Sequence, residues 1–150
     1  MMGIQSSNAV GWTLMQAGLS PISLDTEMFQ IVWDGENYTV HTDRLPDIFI
    51  EKVVPLDYFE YKKKDWIIWL AMDRVNIRRT PVVVFRGETD DVVTFRINLS
   101  PESAESFAER LSNCFVVIEQ AIEAFGHACE MLVQYFGNVR VEDNNKEETD

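Results

Sequence analysis

Two cysteines and two histidines are the side chains of this sequence best suited to act as nucleophiles, general bases or metal ligands. They are Cys114, Cys129, His41 and His127. A catalytic cysteine needs a base beside it, but two residues along a helix place His127 on roughly the opposite side from Cys129. Cys129 also falls on an apolar helical seam, where cysteine acts as a small core residue. We therefore predict no catalytic residues, no metal site and no cofactor.

The sequence motifs that mark common enzyme classes are absent. There is no phosphate-binding loop, no dinucleotide-binding glycine pattern, no HExxH and no nucleophile elbow. Acidic pairs occur at 90–91 and at 142–143. The first pair lies in a predicted hairpin turn, and the second lies in a polar tail that cannot form the rigid oxygen cage calcium needs. The acidic pairs are therefore interpreted as parts of a turn and of the tail, and not as a cation site. The chain as a whole is not expected to be an enzyme.

Charge is strongly acidic overall, with a formal net charge of −12 over 150 residues, yet one segment is basic. An acidic protein repels phosphate backbones at long range, so nucleic acid is not an expected partner. The basic residues lie beside aromatic ones, and aromatic residues and Arg commonly anchor protein interfaces. The cluster could also pair with the acidic half of the same molecule. Its members are Lys62, Lys63, Lys64, Arg74, Arg78 and Arg79, with Tyr58, Phe59 and Tyr61 as the candidate protein-contact residues.

Short elements occupy the first two thirds of the chain. A helix is predicted over 5–17, and 19–24 is interpreted as a connector because it contains Pro21. Asp34-Gly35 predicts a hairpin turn between strands at 28–33 and 38–42, with a third strand at 48–54. A helix then starts at Asp65 and is expected to close with Asn76 in the left-handed conformation. A second hairpin follows over 82–99.

The last third of the chain carries an apolar seam in alternating steps of four and three residues. That spacing predicts a long helix over 101–136, about 54 Å long if it is unbroken. A compact domain of this size has a radius of gyration of about 15 Å, so such a helix would extend beyond the sheet. Either the helix breaks, at Gly126, or its far end packs on something else. The seam consists of Ala104, Ala108, Leu111, Phe115, Ile118, Ile122, Phe125, Cys129, Leu132 and Phe136.

These elements predict one α+β domain over 1–138, followed by an acidic, disordered tail over 139–150. The expected architecture is an antiparallel five-stranded sheet with helices packed on one face, in the order α-β-β-β-α-β-β-α. No apolar run is long enough to span a membrane, and the first 20 residues lack the Lys or Arg of a secretory signal. We expect a cytoplasmic protein.

Three stretches of the chain resemble the YbjN family of bacterial proteins. They are LMQAGLSPISLDTEMFQIVWDGENYTVHT at 14–42, AMDRVNIRRTPVVVFRG at 71–87 and VVTFRINLSPESAESFAERL at 92–111. The resemblance implies the fold of type III secretion chaperones, frequent dimers, and a role like that of proposed sensory-transduction regulators or of chaperones that hold client chains. It carries over no functional residue. The aromatic-rich extension at 121–136 and the acidic tail depart from the family pattern.

Two hypotheses of function follow. In the first, the protein binds another polypeptide, either a partner or client chain or a second copy in a homodimer. The far end of the long helix would then bury Phe125, Cys129, Leu132 and Phe136 in the interface. In the alternative, the protein senses a small ligand in a pocket between the sheet and the helices, lined by Trp33, Trp66 and Trp69.

Overall fold

The computed structural model describes residues 3–59, 65–77, 81–87, 89 and 91–137. Three helices, six strands and a short 3-10 helix form in these ranges. The helices are α1 (Ser7–Gln16), α2 (Asp65–Ile77) and α3 (Ala104–Gly137), and the 3-10 helix covers Leu56–Phe59. The strands are β1 (Ile22–Asp25), β2 (Met28–Trp33), β3 (Glu36–Arg44), β4 (Asp47–Pro55), β5 (Val82–Arg86) and β6 (Val92–Leu99).

The six strands form one antiparallel sheet in the order β1-β2-β3-β4-β6-β5. The prediction of five strands was wrong, because Ile22–Asp25 pairs with β2 as an edge strand. Pro21 suggested a connector, but it lies just before the first paired residue. Proline is tolerated there because its missing N–H removes no hydrogen bond from the ladder. The antiparallel sheet and the long C-terminal helix are confirmed.

The two faces of the sheet differ sharply. Strand pairing aligns an apolar row across five strands, consisting of Phe29, Val40, Ile50, Ile97 and Val82. This row belongs to the hydrophobic core or packs against it, and the helices cover it. Antiparallel sheets commonly bury one face in this way and leave the other to solvent. We refer to the other side as the open face.

Helix α3 is continuous over 34 residues, about 51 Å at 1.5 Å per residue. Of the two alternatives left open by the sequence, the break at Gly126 does not occur. A glycine inside a helix costs about 1 kcal/mol relative to alanine, but burial of the flanking seam offsets this. Phe125 and Cys129 on either side of Gly126 are fully buried. The far end of the helix does not overhang alone, since Trp66 of α2 packs edge-on against Phe136 at 5.1 Å.

Helix α2 runs beside the edge strand β5. The left-handed closure expected at Asn76 was wrong, because the helix continues to Ile77. The side-chain amide of Asn76 is instead hydrogen bonded to the backbone of Val84 in β5. A residue selected from the sequence as a helix stop therefore joins the helix to the sheet.

Candidate interaction surfaces

Three of the four seam residues predicted to form an interface lie inside the monomer. Phe125 and Cys129 are completely buried, and Leu132 is 5% exposed. Phe125 packs edge-on against Phe59 at 4.7 Å and against Phe95 of β6 at 5.8 Å. The seam is thus covered by the sheet and α2 of the same chain, and these three side chains contribute almost no exposed surface.

The aromatic residues selected near the basic segment differ in how exposed they are. Tyr58 is 71% exposed, whereas Phe59 is buried against α3. Tyr61 lies outside the described residues, as do the lysines that follow it. Phe136 is half-buried and remains beside an exposed surface. Of the three described candidates, Tyr58 and Phe136 are therefore the ones that can contact another molecule directly.

An apolar groove of 880 Å³ runs between the ends of α2 and α3, and we call it the α2–α3 groove. Met131 is 57% exposed, Tyr135 is 74% exposed, and Leu70 is also exposed. These residues lie beside the buried seam and not on it, so the seam pattern did not identify them. Met131 and Tyr135 are four apart, each one position before a seam residue, so a second apolar row was readable. The described lining is Leu70, Asp73, Arg74, Met131, Leu132, Gln134, Tyr135 and Phe136.

A second groove, of 760 Å³, lies between α3, the β2–β3 turn and the 3-10 helix, and we call it the acidic groove. Its walls are aromatic and aliphatic, and four carboxylates surround them. Among the described lining residues there is no Lys or Arg. The described lining is Trp33, Asp34, Tyr58, Phe59, Val116, Glu119, Gln120, Ile122, Glu123, Gly126, His127 and Glu130.

A partly buried ionic network anchors one end of the acidic groove. Glu119 of α3 accepts hydrogen bonds from the Tyr38 hydroxyl and, at 2.7 Å, from Lys52 Nζ. Tyr38 and Lys52 belong to β3 and β4, so this carboxylate joins the helix to the sheet. Burial, followed by the bond and charge of Glu119, raises the pKa of Tyr38 well above its usual 10.0. The Tyr38 hydroxyl therefore stays protonated and donates to Glu119.

The open face carries a charged cluster among apolar side chains. The Arg96 guanidinium lies between the rings of Phe49 and Phe85, at 5.2 and 4.9 Å, and is 3.2 Å from Glu51 Oε2. His41 Nε2 contacts the other oxygen of Glu51. Burial raises the pKa of Glu51, but the hydrogen bond and charge of His41 and the charge of Arg96 outweigh it, so the pKa lies below 4.5. These groups form ion pairs with one another and make up a structural cluster.

Comparisons with known proteins support the fold. No family model matches the chain, and no curated protein matches it. An uncharacterized protein from Methanothermobacter thermautotrophicus aligns with a TM-score of 0.55 and 11% identity, over 82% of this chain and 98% of that one. YbjN from E. coli, a candidate transcription regulator, aligns with a TM-score of 0.52 and 13% identity, over 86% and 92%. At these identities the likeness shows a shared fold alone.

The predicted tryptophan-lined pocket does not form. Trp33 stacks on Phe115 at 5.2 Å, whereas Trp66 packs on Phe136. Those two phenylalanines are about 32 Å apart along α3, so the indoles lie near different parts of the helix. Trp69 is exposed, with the Arg86 guanidinium 5.9 Å from its ring. The three tryptophans thus belong to separate surroundings.

Both cysteine thiols are buried and unpaired by a disulfide. Burial raises the pKa of Cys114 to about 11 and that of Cys129 to about 12. The thiolate is the reactive form, so neither sulfur is activated at neutral pH. Within the described ranges, no three His, Cys, Asp or Glu side chains are arranged to hold a metal ion. No helix in those ranges has the length and hydropathy of a membrane span.

Proposed function

We propose that this protein is a non-catalytic, cytoplasmic interaction module that binds another polypeptide in the α2–α3 groove. The observation that carries the proposal is the exposure of Met131, Tyr135 and Leu70 along one groove. Apolar surface contributes roughly 25 cal/mol per Å² when it is removed from water. A contiguous apolar groove on a domain with a complete core of its own is typical of a binding surface.

The composition of the groove favours a polypeptide over a small polar ligand. Its apolar side chains lie on two helices that pack together, and Arg74 and Asp73 stand at its border. An apolar groove between helices with charged residues at its edge accepts an amphipathic helix, whose apolar side chains enter the groove while its polar side meets the charges. Tyr135 supplies a large, rigid contact surface of the kind that dominates binding energy.

We also propose which kind of interaction module this protein is. The fold shared with YbjN, a candidate transcription regulator, supports a chaperone-like or regulatory role and membership of the YbjN family. A second copy of the chain is one polypeptide that the groove could accept, as a homodimer. Fold alone does not establish function, so the groove is the feature to test.

A photo-crosslinking amino acid in place of Tyr135 tests the proposal in cells that produce the full chain. The same amino acid in place of Trp12, an exposed residue of α1, is the matched control. We expect one discrete crosslinked species from position 135 and none from position 12, and we expect Met131→Asp to abolish it. A product of twice the chain's mass would identify a homodimer, and another mass would identify a different polypeptide. The same weak smear from both positions would refute the proposal.

A further inference from the structure

We infer that the acidic groove is a second binding site, which accepts a Lys- or Arg-containing segment of a polypeptide. This inference goes beyond the proposed function, because the α2–α3 groove is a different cavity with an apolar lining. It rests on a cavity, its aromatic walls, the charges around it and the length over which those charges extend.

The aromatic walls suit a cationic side chain. Trp33 is half-buried and held by stacking on Phe115. Tyr58 is exposed and packs edge-on against Phe59 at 5.1 Å. A guanidinium or ammonium group over the face of Trp or Tyr is attracted by the ring's electron density, and Trp is the best of these rings. Contact with buried Phe115 positions the Trp33 ring before any ligand arrives, and Tyr58 lies exposed along the same groove.

The charges around the walls are complementary to such a ligand. Lys52 compensates Glu119, which leaves Asp34, Glu123 and Glu130. His127 is 3.7 Å from Glu123, but both side chains are well exposed, so this contact offsets little of the negative charge. The charges of the described lining residues are therefore mainly negative, and they attract a basic segment and repel an acidic one.

The spacing of the carboxylates favours a polypeptide over a single small cation. Glu119, Glu123, Gly126 and Glu130 follow one another at steps of four, three and four on one side of α3. From Glu119 to Glu130 this row is about 16 Å long, which matches about five residues of extended chain. Gly126 lies in the middle of the row, and the Phe59 ring packs 3.6 Å from where a Cβ would lie, so an aromatic surface separates the charged ends. Lys52 compensates Glu119, so the carboxylate available at that end of the groove is Asp34, whose charge also acts on Tyr38. A bound segment can thus place basic residues at Asp34 and at Glu130.

Binding of a fluorescein-labelled arginine-rich peptide to the full chain, followed by fluorescence anisotropy at low ionic strength, tests the inference. The same peptide with citrulline in place of each arginine keeps the shape and removes the charge. The groove variant is Glu123→Gln with Glu130→Gln. The matched control is Glu105→Gln with Glu109→Gln, which makes the same charge change at exposed positions of the same helix.

We expect the groove variant to bind the arginine peptide about fivefold to tenfold more weakly, and the control variant to bind within about twofold of the unmodified protein. Spermidine, added as a competitor, should displace the peptide poorly because it cannot contact the rings and both charged ends together. Equal losses in both variants, equal binding of the citrulline peptide, or displacement by spermidine at the peptide's own concentration would each overturn the inference. Crosslinking from position 135 is a separate readout, so failure here is distinguishable from failure of the proposed function.

Discussion

The side-chain amide of Asn76 pairs with both backbone hydrogen-bonding groups of Val84. Nδ2 donates to the Val84 carbonyl oxygen at 2.9 Å, and the Val84 N–H donates to Oδ1 at 2.8 Å. Val84 is opposite Phe95 in β6, and β5 is the last strand of the sheet. The amide therefore occupies the place that another strand would take. Unpaired edges template aggregation, and Asn76 closes this one at Val84.

Replacement of Asn76 by alanine should weaken the junction between α2 and β5. Asp73→Ala is the matched control. Asn and Asp have similar helix propensities, so replacing either residue by alanine raises the helix propensity by a similar amount. We expect Asn76→Ala to be about 1–2 kcal/mol less stable than Asp73→Ala, because two hydrogen bonds to the edge strand are lost. Denaturant unfolding followed by circular dichroism measures the difference. Equal stabilities would show that water replaces the amide without cost.

Neighbouring residues on α3 should respond very differently to aspartate. Leu132→Asp places a charge in the core and should lower the free energy of unfolding by about 3 kcal/mol or more. Met131→Asp alters an exposed side chain and should change the free energy of unfolding by less than about 1 kcal/mol. Guanidinium unfolding, with the mass in solution measured in parallel, checks both. A Leu132→Asp protein that keeps its stability but halves its mass would place Leu132 at a subunit interface, as the sequence alone suggested.

The open-face cluster predicts a pH dependence of stability. The pKa of Glu51 is lower in the folded protein than its usual 4.5, so the folded state binds this proton less readily than the unfolded chain. The contribution of Glu51 is therefore complete above the unfolded pKa and is lost as pH falls through the folded value. Between about pH 5 and pH 3, the unmodified protein should lose stability more steeply than Glu51→Gln. Parallel slopes in urea unfolding across that window would contradict the prediction.

Much of the fold could be predicted from patterns that depend on near neighbours. The β2–β3 hairpin forms where Asp34-Gly35 predicted it, and both residues have positive φ, 52° and 77°. β1 was missed because a four-residue exposed strand has no periodicity of its own and exists through pairing with β2. The end of α2 was predicted wrongly because the side-chain amide of Asn76 forms hydrogen bonds with Val84, which lies eight residues further along the chain in β5.

The interaction surfaces were harder to predict, because a seam of apolar residues does not reveal what covers it. Phe125 and Leu132 looked available to a partner, yet the sheet and α2 bury them. Met131 and Tyr135 were overlooked because they are off the seam. The acidic row on α3 was readable from its spacing, but its aromatic walls come from distant β2 and the 3-10 helix.

By itself the sequence determined the acidic charge, the absence of common catalytic motifs, the length of α3 and the alternation that gives the sheet its apolar side. These depend on residue type and on spacings within one or two turns, where the local geometry of helix and strand decides the outcome. Only the tertiary structure decided which apolar residues are covered and which carboxylates share a groove with aromatic rings. Burial depends on contacts between residues far apart in the chain, such as Phe59 with Phe125 and Trp33 with Phe115, and no local pattern encodes those distances.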